Sequence, residues 1–181
     1  DSGVFVISEE ERKETFENNL LKPWFKNSDI NKYTVSEINT KWLIHTSVNI
    51  DLSNFPNIEK HLMSFKNVIE ERNYDSGELR KAKKLNKWYA LSSSRRDFNF
   101  DLPKIVSPQR SYSNTFAYTN KEWYASADVY FITKKDNKIS LKFILAILNS
   151  KLIYFWLYHR GKRKGKMLEL YLTPLSEIPI A

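Results

Sequence analysis

Cysteine is absent, and glycine is nearly so, with 4 residues in a chain of 181. Without cysteine there can be no disulfide or thiolate metal site, which suits a reducing cytosol. So few glycines leave no phosphate-cradling loop and no dinucleotide fingerprint. The histidines His45, His61 and His159 lie far apart, and no His-Glu-x-x-His helix is present, so each reads as a packing or surface residue. Asp75 and Glu78 are close but lack the strand context of a nuclease site. The longest apolar run, Phe143 to Tyr158, is interrupted by Asn149, Ser150 and Lys151. A membrane span needs roughly 20 mostly apolar residues, so a buried core helix is expected there and no membrane partner. The chain begins Asp1-Ser2-Gly3 with no signal-like segment after it. It reads as a piece excised from a longer protein.

Hydrophobic residues make up 41% and charged residues 28% of the chain, ordinary values for one folded domain. The 29 Lys and Arg against 21 Asp and Glu leave a formal charge of +8. A field of that sign attracts polyanions, duplex DNA above all, although many basic proteins bind none.

Gly3 to Ile7 has strand character, and Ser8-Glu9-Glu10-Glu11 reads as a capping box opening a polar helix of about three turns that Pro23 would stop. Its acidic residues, Glu9, Glu10, Glu11, Glu14 and Glu17, read as a solvated face. Thr40 to Thr46 reads as a strand, and Pro56 precedes a helix striped by Ile58, Leu62, Phe65 and Ile69. Strands are expected over Lys104 to Ser107, Thr115 to Tyr118 and Asp128 to Thr133. Ser140 opens a long helix with Leu141, Ile144, Leu145, Leu148, Leu152, Phe155 and Trp156 on one face. Segregated helices and short strands favour an α+β fold, with short mixed or antiparallel strands and a long buried C-terminal helix.

DNA contact requires cations for phosphates and polar side chains for base edges. Three segments offer both. Arg80, Lys81, Lys83, Lys84 and Lys87 lead into Trp88-Tyr89, with Arg95 and Arg96 beyond; the plainer reading is a solvated helix face with Trp88 in the core. Gln109, Arg110, Ser111, Tyr112, Ser113 and Asn114 form a polar loop between apolar runs, where an ordinary hairpin turn would look the same. Arg160 to Lys166, with Lys162, Arg163, Lys164 and Lys166 among two glycines, reads as a phosphate clamp or as a helix C-terminus complementing the dipole.

Several motifs point further. Leu21-Lys22-Pro23-Trp24-Phe25-Lys26-Asn27-Ser28-Asp29-Ile30 with Tyr33, then Phe55-Pro56-Asn57-Ile58 with His61-Leu62 and Glu71-Arg72, then Trp88-Tyr89-Ala90-Leu91, follow one another. Pro103-Lys104-Ile105-Val106-Ser107-Pro108, Ala146-Ile147-Leu148-Asn149-Ser150-Lys151-Leu152 and Leu175 to Ile180 complete the order. Together they resemble the C-terminal specificity domain of TaqI-like adenine-N6 DNA methyltransferases and type IIG restriction–modification enzymes, over nearly the whole chain. The resemblance implies a single target-recognition domain over residues 1–181, with 1–19 a lead-in from the preceding domain. It implies double-stranded DNA as partner, together with a methyltransferase domain of the same chain or a separate modification subunit. S-adenosylmethionine and catalysis would then lie in that other domain, sometimes with a fused nuclease, in the bacterial cytoplasm. No Asn-Pro-Pro-aromatic motif for a flipped adenine occurs here, so no catalytic residue, metal or cofactor is expected in this chain. Type I restriction specificity subunits share the Leu-Asn-Ser helix and the Ile-Pro ending. Half of such a subunit therefore stays open as an alternative, as does a basic protein-interaction domain.

Overall fold

The computed structural model describes residues 3–75, 77–95, 97–134 and 139–180. The chain folds as two compact units, Asp1–Trp24 with Asn39–Asn99, and Phe25–Ile38 with Phe100–Ala181. Helices and antiparallel sheets are segregated along the chain, an α+β arrangement.

In the first unit, strands β1 (Val6–Ser8), β2 (Leu21–Phe25) and β3 (Lys41–Ile44) pair antiparallel in the order β1-β3-β2. Ile7 faces Trp42 and Leu21 faces Ile44. The expected polar helix after Ser8 does not form. Its capping box does, with the Ser8 amide donating to Glu11 at 2.8 Å and the Glu11 amide to Ser8 Oγ at 3.2 Å. Only turns and a short 3-10 turn, Asn18–Leu20, follow it, and Pro23 lies inside β2. Two of the acids have tertiary work instead of a solvated face. Glu9 accepts from the Trp42 indole, and Glu17 accepts from the Asn57 and Ile58 amides at 2.9 and 3.0 Å. Glu17 thereby caps helix α1 (Pro56–Met63), whose own N-cap residue, Phe55, has no capping side chain. The apolar stripe after Pro56 is interrupted: α1 ends near Ser64, whose hydroxyl donates to the His61 carbonyl, and α2 (Lys66–Glu70) resumes it. Helix α3 (Gly77–Lys84) buries Leu79 and Ala82.

The second unit is built around β4 (Lys104–Pro108), buried along its length. The two-residue strand β5 (Arg110–Ser111) follows. Strands β6 (Ala117–Thr119) and β8 (Val129–Ile132) flank β4 antiparallel, and β7 (Tyr124–Ala125) lies between them in sequence. Alternation along the strands divides the core. Ile105 packs with Phe116 and Tyr118 against helices α4 (Leu141–Leu148) and α5 (Lys151–Arg160). Val106, Ala117 and Val129 pack with Phe25, Ile30 and Trp123 on the other face. Strands β9 (Lys162–Lys164) and β10 (Met167–Glu169) join β5 in a second sheet, order β5-β10-β9, before helix α6 (Leu172–Ser176).

The long buried C-terminal helix is corrected to two helices bent by 63°. The Asn149 side chain leaves the helix to bond the amide and carbonyl of Phe116, at 3.1 and 2.8 Å. Ser150 then caps α5, accepting from the Ile153 amide. The break shifts the helical phase, so α5 buries Ile153 and Leu157 while Leu152 and Phe155 stand 74% and 62% exposed. Among the described residues no single helix is long and apolar enough to cross a membrane.

Candidate nucleic-acid interface

The first basic segment is an amphipathic helix that ends in a Schellman turn. Asn86 has φ 54°, its amide donates to the Lys83 carbonyl, and the Lys87 amide donates to the Ala82 carbonyl at 2.8 Å. With Leu79 and Ala82 turned inward, Lys81, Lys83 and Lys84 are left exposed in the last turn, where they complement the helix dipole opposite Glu78. Lys87 is half-buried, 4.0 Å from Asp51 and held above its ordinary pKa first by a hydrogen bond with Tyr89. Arg95 is half-buried with φ 48°. Arg96 lies outside the described residues.

The second segment is not a free loop. Gln109 is locked by its backbone, its amide donating to the Asp128 carbonyl and its own carbonyl accepting from the Leu170 amide. Arg110–Ser111 pairs with β10. Arg110 Nε donates to Glu169 at 3.1 Å and its other nitrogen to the Tyr171 hydroxyl at 2.6 Å; that hydroxyl in turn donates to Glu169. The Tyr171 hydroxyl, then Arg110, hold the Glu169 carboxyl below the usual carboxylate range. Ser111 and Ser113 are half-buried, Ser111 sharing a hydrogen bond with Thr115. Asn114 must be withdrawn as a base reader. It is fully buried, its amide donating to the Leu148 and Ser150 carbonyls and its oxygen accepting from Lys32. Four donor and acceptor sites on one short side chain suit the crowded helix break, where two carbonyls would otherwise be orphaned. The tip of this segment presents Tyr112, 72% exposed, an aromatic side chain among polar ones.

The third segment is a β-hairpin. Lys164 faces Met167 across a two-residue turn in which Gly165 has φ 60°, as in a type II′ turn with glycine first. Gly161 is required at the end of α5 for a different reason, because a Cβ there would come within 2.6 Å of the Leu157 carbonyl. Lys162, Arg163, Lys164 and Lys166 are all exposed. Among the described residues none of them lies within ion-pair distance of a carboxylate. Arg163 stacks over the Tyr158 ring at 4.3 Å. The register sets Lys162, Glu169 and Arg110 in one row across the sheet, so the second and third segments form one surface. The first segment belongs to the other unit.

The family model of the TaqI-like C-terminal specificity domain matches residues 22–180. The chain belongs to this family. It is 29% identical to the type II methyltransferase M.HindII of Haemophilus influenzae over 134 residues, 68% of this chain and 26% of that protein. It is 27% identical to M.MjaIV of Methanocaldococcus jannaschii over 173 residues, 91% of this chain and 56% of that protein. A shorter match, 37% over 65 residues, links it to M.HincII of Haemophilus influenzae, covering 35% of this chain and 13% of that protein. The chain thus spans at most 56% of the length of these relatives.

The residues that carry the resemblance to the specificity domains mostly hold the fold. Asp29 accepts from the Lys26 amide, and Lys104 is wholly buried in the Pro-Lys-Ile strand. Its ammonium donates to the Phe100, Leu102 and Lys121 carbonyls at 2.6, 3.2 and 2.8 Å, and burial pushes its pKa down to about 8. Among the described residues no cluster of His, Asp and Glu could hold a metal ion. A cleft of about 450 Å³ in the first unit is lined by Arg72, Tyr74, Lys83, Asn86 and Trp88. Arg72 is engaged there by the Ile69, Trp88 and Ala90 carbonyls.

Proposed function

We propose that this specificity domain recognises double-stranded DNA for an adenine-N6 methyltransferase or restriction–modification enzyme acting in the cytoplasm. The observation that carries the reading is the exposed basic hairpin Lys162–Lys166, with no ion pair among the described residues, set in the same sheet as Arg110, in a chain of this family. Exposed cations on a rigid hairpin neutralise phosphates and fix register on the duplex. A two-stranded ribbon also fits the major groove, where side chains distinguish base pairs. Tyr112 is the exposed side chain of the neighbouring segment, with Gln109, Arg110, Ser111 and Ser113 half-buried beside it. Arg110, engaged by Glu169 and Tyr171, acts as a support for that surface.

The methyl-transfer chemistry and S-adenosylmethionine belong to a methyltransferase domain or subunit acting with this one. The target adenine must leave the stack to react, and the role of the specificity domain is to hold the duplex while that happens. The sequence has no glycine-rich loop for the cofactor, its four glycines standing singly at positions 3, 77, 161 and 165. Fluorescence anisotropy with a mixed-sequence duplex tests the reading: salt-sensitive binding by the chain, without methyl transfer from labelled S-adenosylmethionine, supports it. A chain that binds no duplex at low salt, or that transfers methyl groups alone, overturns it.

A further inference from the structure

Three non-glycine residues adopt positive φ, and one of them stands apart. Asn86 sits in a helix-ending turn where asparagine is common, and Arg95 lies in a turn of the first unit. Tyr33 has φ 74° in the second unit. A bulky aromatic side chain makes this conformation an outlier, because its Cβ crowds the backbone. Burial of the ring does not compensate, since Tyr33 is 51% exposed.

The surroundings force this conformation. Ile30 and Val35 bridge antiparallel, and the Asn31 amide donates to the Thr34 carbonyl, closing a tight loop whose members Asn31, Lys32, Tyr33 and Thr34 are all exposed. The Tyr33 backbone is gripped at both ends. Its amide donates to the Phe116 carbonyl at 2.8 Å, and its carbonyl accepts from the Tyr118 amide at 3.2 Å, so the loop covers the outer edge of β6. Lys32 anchors the same loop to Asn114. Glycine would meet every one of these backbone demands without strain. Strain retained at a side chain that is half exposed to solvent points to a task for that side chain.

The chemistry around the ring narrows that task. The backbone partner of Tyr33, Ala117, lies on the opposite face of β6 from Tyr118, and Lys32, next in sequence, is held by Asn114 at 2.9 Å, so the ring stands exposed on a pinned loop. A rigidly mounted, exposed aromatic face is a group on which nucleobases stack. The geometry points to Tyr33 as a DNA-contacting residue whose ring stacks on a base made accessible where the duplex opens. This rests on the DNA-recognition reading above and adds a contact away from the basic hairpin.

The test uses the 181-residue chain with two mixed-sequence duplexes, one fully paired and one carrying a single unpaired adenine. Wild type should prefer the duplex with the unpaired adenine. Tyr33→Gly should keep or raise the melting temperature, by about 2–4 °C, as the backbone relaxes. It should bind the unpaired-adenine duplex on the order of tenfold more weakly and lose the preference. Tyr33→Phe, which keeps the ring, should bind as wild type does. A stabilised Tyr33→Gly that binds both duplexes like wild type overturns the proposal. So does a Tyr33→Gly that melts markedly lower, because the ring would then be a packing residue. A Tyr33→Phe as weak as Tyr33→Gly overturns stacking by assigning the contact to the hydroxyl. Wild type binding neither duplex overturns the DNA reading itself, whereas equal binding by wild type and Tyr33→Gly removes only the role of Tyr33.

Discussion

Helix α3 with its following turn and the β9–β10 hairpin have nearly the same composition, a dense run of lysine and arginine, yet their charges are placed differently. On α3 the lysines cluster in the last turn, where the helix C-terminus carries partial negative charge and attracts them. Lys87 beyond it is spent on Tyr89 and Asp51. On the hairpin, just past the C-terminus of α5, the cations stand exposed on strand positions and at the turn, and Lys162 and Lys164 share one face. A basic run is expected to attract a polyanion in proportion to the charge its own fold leaves unspent.

The largest expected effect breaks this comparison directly. Changing Lys162, Arg163 and Lys164 together to Ala should weaken duplex binding on the order of a hundredfold at low salt. The slope of log affinity on log salt should shrink by up to roughly 0.9 per lost phosphate contact. Changing Lys81, Lys83 and Lys84 to Ala should cost only a few-fold, and anisotropy titrations over a salt series compare the two. Equal losses would mean that the charge of α3 is as available as that of the hairpin.

The next effect concerns the platform behind the hairpin. Asn114→Ala removes the donor to two buried carbonyls, and a cost of about 1–3 kcal/mol is expected in urea unfolding. A loss below about 0.5 kcal/mol would show that water replaces the amide.

Lys104 gives a pH signature in the same unit. Its folded-state pKa is pushed down to about 8 from 10.5, so between those values the unfolded chain holds a proton that the folded chain has released. Stability contributed by this site should therefore rise with pH from about 8 upward, by on the order of 1 kcal/mol per pH unit at most. Lys104→Met should abolish the rise. Urea midpoints measured on either side of about pH 8 decide it, and a midpoint that falls equally in both proteins would contradict the assignment.

Smaller still is Arg110→Ala. Its partly exposed pairing with Glu169 contributes up to about 1 kcal/mol, and binding to every singly altered duplex should change by the same factor. Relaxed preference at one base pair would instead restore Arg110 as a base reader. The smallest effect sharpens the description of α3: Asn86→Gly should stabilise by a few tenths of a kcal/mol through its left-handed position and leave DNA binding unchanged.

Local chemistry made much of the fold legible. The strands at Lys41–Ile44, Lys104–Pro108 and Val129–Ile132, and the helix begun by Pro56, follow from alternation and from proline at a helix start. The capping box at Ser8 forms as a hydrogen-bond pair but does not start a helix. The pair needs only four residues, whereas a helix needs a face to bury, and the neighbouring acids were drawn off by Trp42 and by the N-terminus of α1. The Phe143–Tyr158 run is interrupted at Asn149, Ser150 and Lys151, but apolar spacing resumes beyond them, and local sequence does not show that the Asn149 side chain bonds Phe116, 33 residues earlier.

By itself, the sequence determined the charge balance, the absence of thiolate and glycine-loop chemistry, the capping residues and the ordered motifs of the family. These are properties of residue types and short spacings, which survive without knowledge of neighbours in space. Only the tertiary structure decided which polar residues remain available. Arg110 meets Glu169 across 59 residues, Asn114 meets Leu148 across 34, and Tyr33 is forced into its conformation by strand β6, far along the chain. A side chain's hydrogen-bonding capacity is set by its type, but whether that capacity is already satisfied depends on contacts that fold together from distant parts of the chain.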